Sequence, residues 1–289
     1  MINLSQREDN PLIPKVIHYC WFGGSPLGSD ERACIESWKK FFPDYEIVRW
    51  DESNFDVNCC PYVSQAYSVG KWAFVSDYAR FAILYEHGGL YFDTDVEVIR
   101  PMDDIIAKGP FMGFETDARG SGNNKSAGTN LGLSVAPGLG LSANPGLGLY
   151  KFILDSYLED EFCRSDGTLN PTTVVVRTTN ILRSCGLKEV PGIQEVAGVT
   201  IYPSEFFNPK DFYTGEIRTT ENTRSIHHFG MSWLSDKEKF SHRLFSWGLK
   251  HGLTMRSASY LSRVGTILRY ADVGHAYHAL WRRLSGGSE

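Results

Sequence analysis

The chain contains no run of the roughly eighteen apolar residues that a membrane span requires. Its opening, MINLSQREDNPLIPK, places polar and charged side chains where a signal peptide needs an apolar core. The expectation is a protein that stays in the cytoplasm. Cysteine is sparse and unpatterned: Cys20, Cys34, Cys59, Cys60, Cys163 and Cys185 form no C-x-x-C pair and no zinc-type spacing. They are expected to be reduced thiols, with Cys20 and Cys34 packing as small apolar residues. Excess positive charge is also missing, since a net charge of −5 argues against a nucleic-acid partner. What is left, 289 residues with 42% hydrophobic content, suffices for one sizeable domain with an appendage or for two small ones.

The stretch that organises the chain is WAFVSDYARFAILYEHGGLYFDTDVEV, from Trp72 to Val98. Its first half predicts a buried helix, apolar on nearly all sides, free of Pro and Gly, and closed by His87-Gly88-Gly89. Its second half, Leu90 to Val98, predicts a strand. Alternation along a strand would point Asp93 and Asp95 to one face and Thr94 to the other. Two converging carboxylates repel unless a cation sits between them. A hard divalent ion such as Mg²⁺ or Mn²⁺, shared with the oxygens of a phosphate ligand, is the simplest partner. The same aspartates could instead be a solvated face or a turn. On the preceding helix Asp77 and Arg80 lie at i, i+3 on one side, and a buried ion pair is weak evidence for stability, which makes a ligand-facing role a rival to a structural one.

The combination S-D-x-x-R…G-G-x-Y-x-D-x-D in SDYARFAILYEHGGLYFDTDVEV closely resembles the core of DXD-containing sugar transferases of glycosyltransferase family 32. That group holds the yeast outer-chain mannosyltransferases and bacterial capsular enzymes; more distantly the stretch is similar to the glucosyltransferase domains of clostridial toxins. The resemblance implies a GT-A-type, Rossmann-like α/β sheet with flanking helices. It implies a nucleotide-sugar donor, a divalent metal and transfer with retention of configuration. It assigns Asp93 and Asp95 to metal and donor ribose, with Asp95 the direct ligand, and Asp77 and Arg80 to the donor sugar. Ser76 and Tyr91 join the donor-binding residues.

Around this core, Lys15 to Phe22 reads as a first buried strand ending at Gly23-Gly24, where an open α/β sheet places its ligand. Trp21 there can either pack in the core or stack on a base. The resemblance of Trp21-Phe22-Gly23-Gly24 to the family's W-x-G-G segment favours the nucleobase. Ser29 to Phe42 predicts a helix and Tyr45 to Trp50 a second strand, the start of a parallel doubly wound sheet. Met102 to Ala107 predicts a short helix and Gly109 to Glu115 a strand. From Thr116 to Gly148 the chain is rich in Gly, Ser, Asn and Pro and carries an imperfect repeat, LGLSVAPG then LGLSANPG. It reads as strand and loop crossing near the site, its glycines letting backbone approach a sugar, with Asn130 assigned to the donor hexose.

Gly148 to Phe162 predicts a helix, Thr172 to Cys185 a helix or a strand, and Val196 to Tyr202 a strand. Ser225 to Leu234, SIHHFGMSWL, predicts a strand in which His227 and His228 face opposite sides. One histidine would complete a site begun by Asp95 and favour Mn²⁺ over Mg²⁺. Resemblance to the family's H-H-x-x-x-S-W closing segment selects His228, and sets Ser232 and Trp233 near the diphosphate.

Beyond Asp236 basic residues outnumber acids while apolar and aromatic residues recur at helical spacing. The expected division is a catalytic domain over 1–235 and a basic amphipathic helical extension over 236–289. That extension would either pack on the domain or touch an anionic membrane at its inner face. Together these readings describe a glycosyltransferase of surface-polysaccharide synthesis, moving a hexose or N-acetylhexosamine from a UDP-sugar to a glycan or lipid-linked glycan acceptor. GDP-mannose is the alternative donor. Two rivals stand outside this class. A haloacid-dehalogenase-like phosphatase needs Thr or Val where Glu97 stands, whereas a catalytically silent sugar-nucleotide binder would keep the same motifs.

Overall fold

In the computed structural model, which describes residues 13–117, 132–170, 172–231 and 234–270, the first strand, β1 (Val16–Cys20), is buried at four of its five positions. It pairs in parallel with β2 (Glu46–Trp50) on one side and β3 (Gly89–Tyr91) on the other. Helix α1 (Ser29–Phe41) makes the first crossover; α2 (Pro61–Ser68) and α3 (Trp72–His87) make the second. Neighbouring side chains on these strands go to opposite layers. Ile17, Tyr19 and Leu90 pack with Ile35 and Trp38 of α1. Cys20 and Tyr91 pack with Val75, Ala79 and Phe81 of α3. The expected α/β architecture is met, with buried parallel strands sandwiched between helices.

Helix α3 ends where its sequence ends it: Gly88, at φ 66°, donates its N–H to the carbonyl of Leu84. The strand expected over Leu90 to Val98 is instead two. β3 stops at Tyr91, and β4 (Val96–Val98) belongs to a different sheet, where it pairs antiparallel with β10 (Ser225–His227). Between them residues 92–95 turn, with the Val96 N–H donated to the Asp93 carbonyl at 3.0 Å. The D-T-D run permits this break, because Asp disfavours continuous pairing and supports turns, and the pairing of β4 with β10 draws the chain out of the first sheet.

Short helix α4 (Asp103–Ile106) leads to β5 (Phe111–Thr116). β6 (Ser134–Val135) pairs with β5, whereas β7 (Leu141–Ala143) adds antiparallel to β3. Next come α5 (Gly148–Leu158) and α6 (Val174–Ser184). The β-branched run at the start of α6 is helical because the Thr173 side chain caps it, accepting from the Val176 N–H. The single strand expected over Val196 to Tyr202 is a hairpin of β8 (Gln194–Val196) and β9 (Val199–Tyr202), turning at Ala197 and Gly198, both at positive φ. β9 also pairs in parallel with β5, and α7 (Ser204–Phe207) follows it.

The described residues fall into two compact units. The larger runs to Lys210 and includes Ile217–Gly230; the smaller takes Asp211–Glu216 and the chain from Met231 onward. In the smaller unit α8 (Asp236–Lys250) starts with a reciprocal capping box between Ser235 and Glu238, and α9 (Met255–Tyr270) packs along it. Among the described residues no helix is long and apolar enough to cross a membrane.

The interior of the parallel sheet holds one histidine whose tautomer is fixed by its partners. His18, on β1, is 3% exposed. Trp50 Nε1 donates to its Nδ1 at 3.0 Å, so Nε2 carries the proton and donates to the Gly88 carbonyl at 3.1 Å. Burial lowers its pKa to about 4, with His87 pushing the same way and the Gly88 bond opposing. A depressed folded value contributes stability that is present above the unfolded pKa and lost as pH falls through the folded one. The stake is about 3 kcal/mol, disappearing between pH ~6.5 and ~4. Urea unfolding across that window should show this loss in the wild type and a flatter profile in His18→Gln; identical profiles would refute the assignment.

Candidate functional site

Strand order 2-1-3 opens a crevice at the carboxyl ends of β1 and β3, where the chain reverses its direction of winding. The loop after β1 brings Trp21 there, and the turn after β3 brings Asp93 and Asp95. Trp21 is half-buried, packs against the α1-side core, and donates its Nε1–H to the Ser25 carbonyl at 2.6 Å. Gly23 follows at φ 88° with the Trp72 indole so close that a Cβ would overlap it. Its N–H is donated to Glu52 Oε1 at 2.7 Å.

The floor of the crevice is a network centred on Arg80, which is 3% exposed. Its Nη2 donates to Asp77 Oδ1 at 3.0 Å and reaches Asp93 Oδ1 at 3.3 Å, while Nη1 donates to Asp93 Oδ2 at 3.3 Å. The guanidinium lies 5.0 Å from the centre of the Tyr91 ring, and the Tyr91 hydroxyl donates to Asp93 Oδ1 at 3.0 Å. Ser76 contributes its carbonyl to Arg80 Nε at 3.1 Å and turns its hydroxyl back to the Trp72 carbonyl. Burial raises the Asp77 carboxyl to about 7; Arg80 opposes this and the neighbouring Asp93 charge adds to it. Burial thus works against the ionisation of Asp77, and the Arg80 guanidinium for it.

Asp95 sits one turn further, tied to the strand that arrives from the far end of the chain. His227 Nε2 lies 3.2 Å from its Oδ1, and the Gly230 N–H is donated to its Oδ2 at 2.7 Å. Burial alone would raise the Asp95 carboxyl, but His227 and the Gly230 N–H outweigh it and hold the pKa down at about 2. Phe229 adopts a positive φ beside this contact, and its ring meets His227 edge-on at 4.5 Å.

One ligand atom each from Asp93, Asp95 and His227 lie within 4.8 Å of one another. His227 Nδ1 is also buried without a hydrogen-bond partner. Two carboxylates with an imidazole form a donor set suited to Mn²⁺ or Mg²⁺, and the ring nitrogen on the carboxylate side is Nε2, 3.2 Å from Asp95 Oδ1. The residues present fit a divalent cation. His228 does not take part: its Nε2 lies 2.8 Å from Glu97 Oε2, on the opposite side of β10. The structure places His227, not the His228 selected from the sequence, on the Asp95 side, because β10 registers His227 opposite Val96, next to Asp95. Asn130, Ser232 and Trp233 lie outside the described residues.

Sequence reasoning also missed Gly138, in the short 3-10 turn Pro137–Leu139. A Cβ there would overlap Asp93 Oδ2, and the Gly138 carbonyl accepts the Asp93 N–H at 3.3 Å. From the sequence the glycines of the repeat are expected to let backbone approach a sugar; at Gly138 the close approach is to the Asp93 side chain. Two measurements follow. His227→Ala should weaken Mn²⁺ binding by about tenfold or more in calorimetric titration, whereas His228→Ala should leave it unchanged. Gly138→Ala should displace Asp93 and weaken Mn²⁺ about tenfold with an unaltered circular dichroism spectrum; unaltered Mn²⁺ affinity would show that Asp93 is not a ligand.

Residues 28–112 match the family described as the glycosyltransferase sugar-binding region containing the DXD motif. Inositol phosphoceramide mannosyltransferase 1 of Schizosaccharomyces pombe is 28% identical over 128 residues, 40% of this chain and 39% of that protein. Inositol phosphoceramide mannosyltransferase 3 of the same yeast is 34% identical over 106 residues, 32% of this chain and 27% of that protein. The aligned part is thus less than half of either relative. Among solved structures, PaToxG glycosyltransferase aligns over 60% of this chain and 69% of that chain at 16% identity and a TM-score of 0.40. The resemblance carried by Trp72 to Val98 holds for the region around it: residues 28–112, containing Asp77, Arg80, Asp93 and Asp95, are similar to the DXD sugar-binding region of glycosyltransferases.

Proposed function

We propose that the chain is a metal-dependent glycosyltransferase of GT-A type that moves a hexose or N-acetylhexosamine from a nucleotide sugar. The carrying observation is the convergence of Asp93, Asp95 and His227 beside the buried Asp77–Arg80 pair. A bound Mn²⁺ or Mg²⁺ would supply positive charge to the diphosphate as it leaves. This chain's own residues do the rest. Arg80, with its charge held in place by two carboxylates, donates to donor hydroxyls. Asp77 orients a second hydroxyl. Tyr91 fixes Asp93 toward the ribose, and Trp21 lies against the base. Transfer is with retention, by attack of the acceptor on the donor's leaving-group face without a protein nucleophile.

A UDP-sugar is the proposed donor and a glycan or lipid-linked glycan the acceptor, in surface-polysaccharide synthesis at the inner face of the membrane. The basic residues of 236–289 would bring the protein to that surface. GDP-mannose is the second donor, favoured by the names of the yeast relatives, which are mannosyltransferases.

Nucleotide release from a panel of nucleotide sugars with Mn²⁺ tests the reading directly. Asp95→Asn should lower it about a hundredfold or more while the protein stays folded, and a chelator should do the same to the wild type. Full activity in either case would sink the proposal, and no release from any donor would leave a silent sugar-nucleotide binder.

A further inference from the structure

The smaller unit carries a surface that sugar transfer does not use. α8 and α9 pack antiparallel. Gly248 lies against Ala258, Gly265 faces Leu244 with no room for a Cβ, and the Tyr270 hydroxyl reaches back to the Asp236 carbonyl at 3.2 Å. The buried face of α9 is Ala258, Ser262 and Thr266, with Ser262 bonded to Ser241 of α8. Its opposite face repeats at i, i+4, i+7 and i+11 with Arg256, Tyr260, Arg263 and Ile267. Tyr260 is 72% and Ile267 62% exposed. Met255 and Val264 line the same groove.

Charge identifies what this face fits. From Lys239 to Tyr270 there are six Lys or Arg and no Asp or Glu, in a chain whose net charge is −5. Arg269 is engaged over the Phe240 ring at 4.6 Å; Arg256 and Arg263 flank Tyr260. A cationic face with an aromatic side chain between its arginines and a branched aliphatic one a turn beyond them has the composition of a helix lying in a bilayer interface. Two-fold pairing with a second copy would set Arg256 and Arg263 against their own counterparts.

We infer that the outer face of α9 docks on an anionic phospholipid surface. Arg256 and Arg263 pair with headgroup anions, and Tyr260 and Ile267 enter the region beneath them. This inference rests on the membrane contact proposed above and assigns it to one helix face; nucleotide release measured without vesicles reports on sugar transfer separately, so failure of one is distinguishable from failure of the other.

The test is flotation of the full-length protein with vesicles of phosphatidylcholine alone and of phosphatidylcholine mixed with phosphatidylglycerol. The protein should float with the anionic vesicles only, and less so as salt rises. Arg256→Gln with Arg263→Gln should weaken binding about thirty-fold, from about 1 kcal/mol per basic residue near such a surface. Tyr260→Ser with Ile267→Ser should weaken it without changing the salt dependence, and Lys39→Gln with Lys40→Gln on α1 should bind as the wild type does. Equal flotation with both vesicles, or wild-type binding by the arginine variant, would overturn the inference. So would self-association in light scattering that the Tyr260/Ile267 variant abolishes, since that makes a second copy the occupant.

Discussion

One buried guanidinium sets the terms for the whole crevice. Arg80 is reached by Asp77 from its own helix and by Asp93 from the turn after β3, so one fixed positive charge serves two carboxylates. A third, Asp95, stands within ligand distance of Asp93. Three acids face one permanent cation, Arg80, and one titratable one, His227, which burial would discharge but the Asp95 carboxylate holds toward its protonated form. Burial first, and the Asp93 charge after it, resist the ionisation of Asp77. Low dielectric magnifies the imbalance. A divalent cation beside Asp93 and Asp95 is the change that relieves it, and this is a stronger physical argument for a metal than the D-x-D spacing.

The same constraint explains the turn. If Leu90 to Val98 were one strand, Asp93 and Asp95 would share a face but both would stay in the β1–β3 sheet. By breaking at residues 92–95 the chain leaves Asp93 with Arg80 and Tyr91 on the parallel sheet and hands Asp95 to the β4–β10 pair, where His227 waits. Glycine makes the junction possible. Gly138 clears space for the Asp93 carboxylate, and Gly140 at φ 130° lets backbone pass the Phe92 ring. The repeat LGLSVAPG–LGLSANPG is therefore used asymmetrically: its first unit supplies Gly138, and its second supplies β7 to cover the β3 edge.

What could be read beforehand follows from how local the determinant is. α3 was legible because its apolar character, its lack of breakers and its Gly88 cap are all written within it. The parallel strands were legible as apolar runs between turn residues. The 92–95 turn was not, because its cause lies in pairing with β10, more than a hundred residues away. The choice between His227 and His228 had the same limit: alternation says that one faces in, and only the register with β4 says which. The β8–β9 hairpin is a different case. Its Gly198 stood in the middle of the expected strand, and a glycine there is a signal for a bend, outweighed by the apolar residues on either side.

Residues that touch no ligand hold the remote half of the site in place. The Trp38 indole of α1 donates to the Val96 carbonyl at 2.8 Å, and the Ser37 hydroxyl accepts the Val98 N–H at 2.9 Å. β4 is thereby pinned to α1 by side chains, not by membership in the parallel sheet. β10 adds to β4, the His228 N–H is donated to the Asp95 carbonyl at 2.8 Å, and Gly230 closes on the Asp95 carboxylate. The contact of His227 with Asp95 thus rests on the packing of β4 against α1. A carboxylate cluster assembled this way exists in the folded chain alone, and the repulsion among its acids is charged against folding, not against ligand binding. The cost is tolerable because Arg80, the Tyr91 hydroxyl and the Gly230 N–H each stabilise ionised oxygens, leaving the remaining lone pairs aimed at one point.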